Sequence, residues 1–135
     1  MLQLIYHSTC KVGRIDAPLQ VLRSILKVSA ANNAAVGMTG FLIFDGNTFV
    51  QVLEGEEETV KATFDRISRD DRHRDVAVIE TRPIAERDFP AWAMSGRLRE
   101  GPHAAMYHRH GIDGRDFSEC SGAQIVALAK ELAAA

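Results

Sequence analysis

The sequence predicts an α+β sandwich on the ferredoxin-like plan, βαββαβ, with an extra strand and a C-terminal helical segment covering the other sheet face. Three observations carry this expectation. The apolar period switches from two to helical spacing and back, twice, over roughly the first 80 residues. Asp45-Gly46 separates two runs rich in aromatic and β-branched residues, a hairpin signal because type I′ turns need positive φ. A last apolar stripe, Ile125, Leu128 and Leu132, lies behind a helix-start signal near the C-terminus.

Each element follows from its residues. Leu2 to His7 alternates around Leu4 and Tyr6 and reads as the first strand. Asp16 is the expected N-cap of a helix with Pro18 in its first turn, where a missing N–H costs nothing. Leu19, Leu22, Ile25, Leu26 and Ser29 then give one apolar stripe, ending near Asn32-Asn33 before Gly37. Thr39–Asp45 and Thr48–Glu54 are the hairpin strands. After Gly55 three glutamates suit the positive end of a second helix, whose buried face is Val60, Phe64 and Ile67. Val76–Ile79 is expected as a fourth strand and Trp92–Leu98 as a fifth. Right-handed crossovers put both helices on one face of the sheet. The other face needs cover, and a helix opened by a Ser121–Gln124 capping box can supply it. The stretch from Arg99 to Gly114 reads as partly irregular. Residues 1–98 are therefore expected as the core and 99–135 as an extension with a helix.

Composition narrows the function classes. The 135 residues suit one domain, and 46% hydrophobic with 25% charged residues is ordinary globular usage. A net charge of -2 argues against a nucleic-acid partner, which needs a basic face. No run reaches the 18 or so apolar residues of a membrane span, and MLQLIYHSTC carries no secretory leader pattern. Cys10 and Cys120 make no disulfide framework and read as free thiols, so a cytoplasmic location is expected.

Several polar residues sit in apolar settings. Gln51 shares a strand face with Phe49 and Leu53, while Val50 and Val52 take the other, so its amide needs an internal partner. That partner is either backbone or water, or the polar edge of a ligand, since an amide both donates and accepts. Tyr6 reads as a core ring with a hydrogen-bonded phenol. Asn32 and Asn33 read as helix C-terminal punctuation, because Asn tolerates left-handed backbone. Arg72-His73 reads as a solvated helix end, or together as a partner for phosphate. His103, His108 and His110 lack zinc spacing and read as a polar connector. No GxSxG, Walker or GxGxxG motif is present.

The segments LIYHS, SAANNAAVGMTG, FVQVLEG, DDRHRDV and RDFPAWAM, in this order over positions 4 to 94, resemble the successive signature blocks of the BLUF family. MTG…FVQVLEG…DRH is the most specific part. The resemblance implies a blue-light photoreceptor holding a non-covalent flavin, usually FAD, with FMN or riboflavin as alternatives. It implies that Tyr6 gives an electron and a proton to the excited ring, and that Gln51 lies between Tyr6 and the flavin. Asn33 would bond the ring's carbonyl edge, with Asn32 beside it. Arg72 and His73 would lie near the ribityl and phosphate portion, and Ile25 and Ser29 would line the ring. Trp92 and Met94 match a pair that competes for the place beside Gln51; two residues apart, they are expected on one side of the last strand.

The implied mechanism is a hydrogen-bond switch. Gln51 returns rotated or tautomerised and donates a new bond to the flavin carbonyl, giving a small red shift. Output is expected through a downstream protein partner, the C-terminal region or a homodimer surface. The alternative is a small flavin-dependent oxidoreductase; against it, no substrate base or nucleophile stands beside the proposed ring site.

Overall fold

Among the residues described by the computed structural model, 1–11, 16–91 and 93–135, five strands and four helices alternate. They are β1 (Leu2–Cys10), α1 (Pro18–Ala35), β2 (Thr39–Phe44), β3 (Thr48–Gly55), α2 (Glu57–Ser68), β4 (His73–Pro83), β5 (Ser95–Leu98), α3 (Ala104–Arg109) and α4 (Gly122–Ala134). The sheet runs β4-β1-β3-β2-β5. β1 is antiparallel to β3 and β4, β2 is antiparallel to β3, and β5 lies parallel to β2. The first four strands thus take the expected ferredoxin-like order, and β5 extends the β2 edge.

Alternation divides the core in two. Leu4, Tyr6, Leu42, Phe44, Phe49 and Leu53 face α1 and α2, where Leu22 and Val60 are buried with them. Ile5, Phe41, Ile43, Val50 and Val52 face the opposite side, against Tyr107, Phe117, Ile125, Leu128 and Leu132. The chain's own C-terminus therefore covers the second face, as the stripe on α4 required. The capping box is formed: Gln124 N donates to Ser121 Oγ at 3.1 Å, and Ser121 N donates to Gln124 Oε1 at 2.9 Å. A buried carboxylate ties the segment before β5 to the sheet. Glu54 accepts from Gln3 Nε2 (2.9 Å), Asp88 N (2.9 Å) and Phe89 N (2.8 Å).

Some expectations fail for local reasons. The α1 cap is Ala17, without a side-chain cap bond, and Asp16 is exposed. Pro18 is the first helical residue, and the residue before a proline is driven out of helical backbone, so the cap falls at Ala17. Leu19 is 44% exposed and leaves the buried stripe, while Ile25 and Leu26 are half-buried. The helix continues two residues past Asn33, and Gly37 at φ +70 makes the left-handed exit that the asparagines were expected to make. In the hairpin Gly46 has positive φ (93°) and Asn47 does not, so the two positive φ values of the expected type I′ turn are not both present. Asp45 Oδ1 accepts from Asn47 N and Thr48 N there.

β4 spans 11 residues rather than the four expected, and it is an edge strand with Asp75 at φ +54. Its register against β1 shifts between Ile5 and Tyr6 and again between His7 and Thr9. These irregularities break the period of two that sequence reading relies on. β5 begins at Ser95, so Met94 precedes the strand instead of lying within it. Trp92, expected beside Met94, lies outside the described residues. The stretch from Arg99 to Gly114 contains α3, a six-residue helix too short to announce itself by periodicity.

Candidate functional site

Cross-strand register makes the centre of the site. Tyr6 on β1 lies directly opposite Gln51 on β3, both on the sheet face below α1 and α2. Tyr6 is 4% exposed and Gln51 5%. The phenol O–H donates to Gln51 Oε1. Gln51 Nε2 in turn donates to the Met94 thioether sulfur at 3.3 Å. Asn33, from the last turns of α1, is also buried, and its Nδ2 donates to the Ala93 carbonyl at 3.0 Å. Two site amides therefore hold two consecutive residues, Ala93 and Met94, just before β5.

The phenol is kept protonated. Burial pushes the Tyr6 pKa well above the ordinary tyrosine value, and the nearby Asp70 carboxylate pushes it the same way. Asp70 itself is held down to about 2, chiefly by the Arg72 hydrogen bonds. Arg72 Nε sits 2.9 Å from Asp70 Oδ1, and its terminal nitrogen 2.6 Å from Oδ2. The Phe64 ring packs on Tyr6 with centroids 5.3 Å apart at 56°.

A cleft opens between α1 and α2 above this centre. Tyr6, Ile25, Ser29, Gln51, Ile67 and His73 line its inner part, of about 110 Å³. Toward one end it continues over Asn32, Asn33, Thr63 and Arg66, and toward the other over Cys10, Lys11, Val21 and Ser24. Arg72 lines all three parts. Half-buried Ile25 is the consequence of this opening: the apolar face of α1 is not sealed against α2 there.

The structure thus brings Tyr6, Ile25, Ser29, Asn32, Asn33, Gln51, Arg72 and His73 to one cleft, with Met94 behind Gln51. Two of these were read differently from sequence. Asn33 is a buried bridge rather than punctuation, although its carbonyl does accept from Val36 N and Met38 N at the helix end. His73 is half-buried and not a solvated helix end. Its Nε2 lies 2.5 Å from the Ile67 carbonyl and must donate, so in the neutral ring Nδ1 accepts from the Ser8 hydroxyl at 2.9 Å. Asp70 and Leu42 also line the cleft and carried no sequence signal, and Phe49 lines it from the strand face it was expected to share with Gln51. Two of the three outlying histidines are engaged elsewhere, His108 with Asp113 and His110 with Glu131.

The donor set fits a flat heteroaromatic ring with a polar edge. Aliphatic Ile25 and Ile67 offer faces to pack against, Asn33 and Gln51 offer amides for edge groups, and cations come from Arg66 at the Asn32–Asn33 end and from Arg72, which lines every part. An isoalloxazine ring has this chemistry, so a flavin fits the residues present.

Comparison with known proteins agrees. The BLUF family model, described as sensors of blue-light using FAD, matches residues 1–95. The chain is 32% identical over 100 residues to the photoactivated adenylate cyclase subunit beta of Euglena longa, covering 73% of this chain and 11% of that protein. It is 36% identical over 73 residues to the blue light- and temperature-regulated antirepressor BluF of Escherichia coli K12, covering 54% of this chain and 17% of that one. The chain thus spans only about a tenth to a sixth of these curated relatives. Among solved structures, the photo-activated state of BlsA aligns with a TM-score of 0.82 at 28% identity, covering 99% and 95% of the two chains. The dark state of BlrB aligns at 0.75 and 28%, covering 98% and 95%.

Proposed function

Since the chain belongs to the BLUF family of blue-light sensors, we propose that its light response is a hydrogen-bond switch at Gln51, triggered by Tyr6 and first received by Met94. The carrying observation is the polarity of the chain Tyr6–Gln51–Met94. A phenol donates at one end and a thioether, which can only accept, terminates the other. Rotating the amide would turn its carbonyl toward the thioether, an acceptor facing an acceptor, so the Met94 contact breaks when Gln51 turns. A bound flavin would supply a blue-absorbing electron acceptor, and Ile25, Asn33 and Gln51 are among the residues that would hold it.

The residues do the rest. A phenol whose pKa is raised by burial gives up its proton only together with an electron, and Gln51 Oε1 is the group placed to take that proton. As the proton returns, the amide re-forms its bonds in the alternative orientation. Asn33 holds the cleft edge and residue 93, and Ile25 and Ser29 bound the ring's place. Arg72 serves the polar tail of the ligand with one side of its guanidinium while Asp70 fixes the other. His73, with both ring nitrogens bonded inside the chain, shapes the wall rather than gripping a phosphate. One altered buried hydrogen bond is worth about 0.5–1.5 kcal/mol, enough to bias a two-state element several-fold.

In this reading residues 1–98 form the sensor core and 99–135 the output extension. The chain acts as a sensor rather than an enzyme, passing its signal in the cytoplasm to a protein partner or across a homodimer.

The test is a spectrum before and after blue light. The purified protein should be yellow and should shift reversibly to the red without added substrate; a yellow protein inert to light would end the proposal. Neither cysteine lines the inner part of the cleft around Tyr6 and Gln51, so heat or acid should release the chromophore; flavin retained on the denatured chain would contradict non-covalent binding.

A further inference from the structure

We infer that Arg99 is the positioning residue that couples the Gln51 switch to the C-terminal cap, α3 and α4; this rests on the switch reading above. β5 is only four residues long, and both ends are pinned. At its entry Met94 and Ala93 are held by Gln51 and Asn33. At its exit Arg99 N donates to the Phe44 carbonyl at 2.8 Å, extending the β2–β5 ladder by one bond.

From that anchored backbone the Arg99 side chain crosses to the other layer. Its guanidinium donates to the Arg115 carbonyl at 2.7 Å and the Ile112 carbonyl at 2.9 Å. Its carbon lies 4.9 Å from the centroid of the Tyr107 ring and 4.9 Å from that of Phe117. Gly111 and Gly114, at φ +70 and +71, shape the turn that presents those carbonyls. One half-buried residue therefore grips α3, the turn after it and the 3₁₀ turn before α4. Tyr107 and Phe117 are themselves fully packed against Ile125, Leu128 and Leu132.

A planar fork fixed by two carbonyls and two rings transmits displacement in a way an apolar contact does not, because sliding breaks directional bonds. When Gln51 releases Met94, one of the two bonds at the entry of β5 is lost, leaving Asn33–Ala93, while its exit stays clamped. The strand's response is then delivered to the cap through Arg99.

Hydrogen exchange of the flavin-loaded full chain, dark and illuminated, reads this directly. In the parent, backbone amides within 104–134 should exchange at least threefold differently in light and dark. Arg99→Met keeps the length but loses the donors and the charge; it should keep the full red shift and lose that light-dependent difference. Arg99→Lys keeps the cation over the rings without the fork, so it should restore the difference only in part; it also carries the test if Arg99→Met fails to fold. A parent that red-shifts with no response in 104–134 overturns the inference, and so does an undiminished response in the variants. No red shift in the parent would fall on the proposed function instead.

Discussion

Gln51→Leu is expected to hold flavin and to show no light-induced red shift. Leucine fills a similar volume but can neither accept from Tyr6 nor donate to Met94, so the switch is gone while the cleft walls remain. The variant leaves the Tyr6 hydroxyl buried without that acceptor, which costs about 1–3 kcal/mol. Against a usual domain stability of about 5–15 kcal/mol the fold survives. Tyr6→Phe should also bind flavin and lose the normal photocycle, because phenylalanine has no proton to give and is a far poorer electron donor. The pair Tyr6→Phe with Gln51→Leu removes donor and acceptor together, so it should melt closer to the parent than the sum of the two single effects predicts. Absorbance under blue light and thermal denaturation check all three. A reversible red shift of parental size in Gln51→Leu would overturn the assignment of the switch.

Ending the chain after Gly114 should have the largest effect on stability. It removes Phe117, Ile125, Leu128 and Leu132, each fully buried, and bares Ile5, Phe41, Ile43, Val50 and Val52. Burial of a large apolar side chain contributes about 1.5–3 kcal/mol, so four of them account for roughly 6–12 kcal/mol, comparable with the whole stability of a domain. The truncated protein is expected to lose its cooperative melt, to bind hydrophobic dyes and to aggregate. Parental melting and solubility would show that α4 is dispensable.

The legible parts of this fold were those decided within a few residues. Ser121 and Gln124 form their box because both partners lie in one turn. Alternation put Tyr6 and Gln51 on an apolar face because the central strands are buried on both sides. Register and long-range contact were not legible. Periodicity does not reveal that His73 reaches Ser8 and Ile67, or that Asn33 reaches residue 93, since those meetings depend on how strands and helices assemble. The site residues came instead from resemblance to a family, and the geometry supplies what the resemblance left out. Asp70 is the clearest case: neither periodicity nor the resemblance gave it a role, yet it lines the cleft and its charge reaches the Tyr6 phenol.

The irregular outer strand has a bearing on how copies of this protein can meet. An extra strand arriving at β4 would need a straight row of backbone groups, and it would find Asp75 turned to φ +54, two shifts of register and the charges of Arg74, Asp75, Glu80 and Arg82. Lateral growth of the sheet along that side is disfavoured. If copies of the chain associate, strand addition at β4 is a disfavoured route, which leaves the β5 edge and the helical layers as the surfaces through which they would meet.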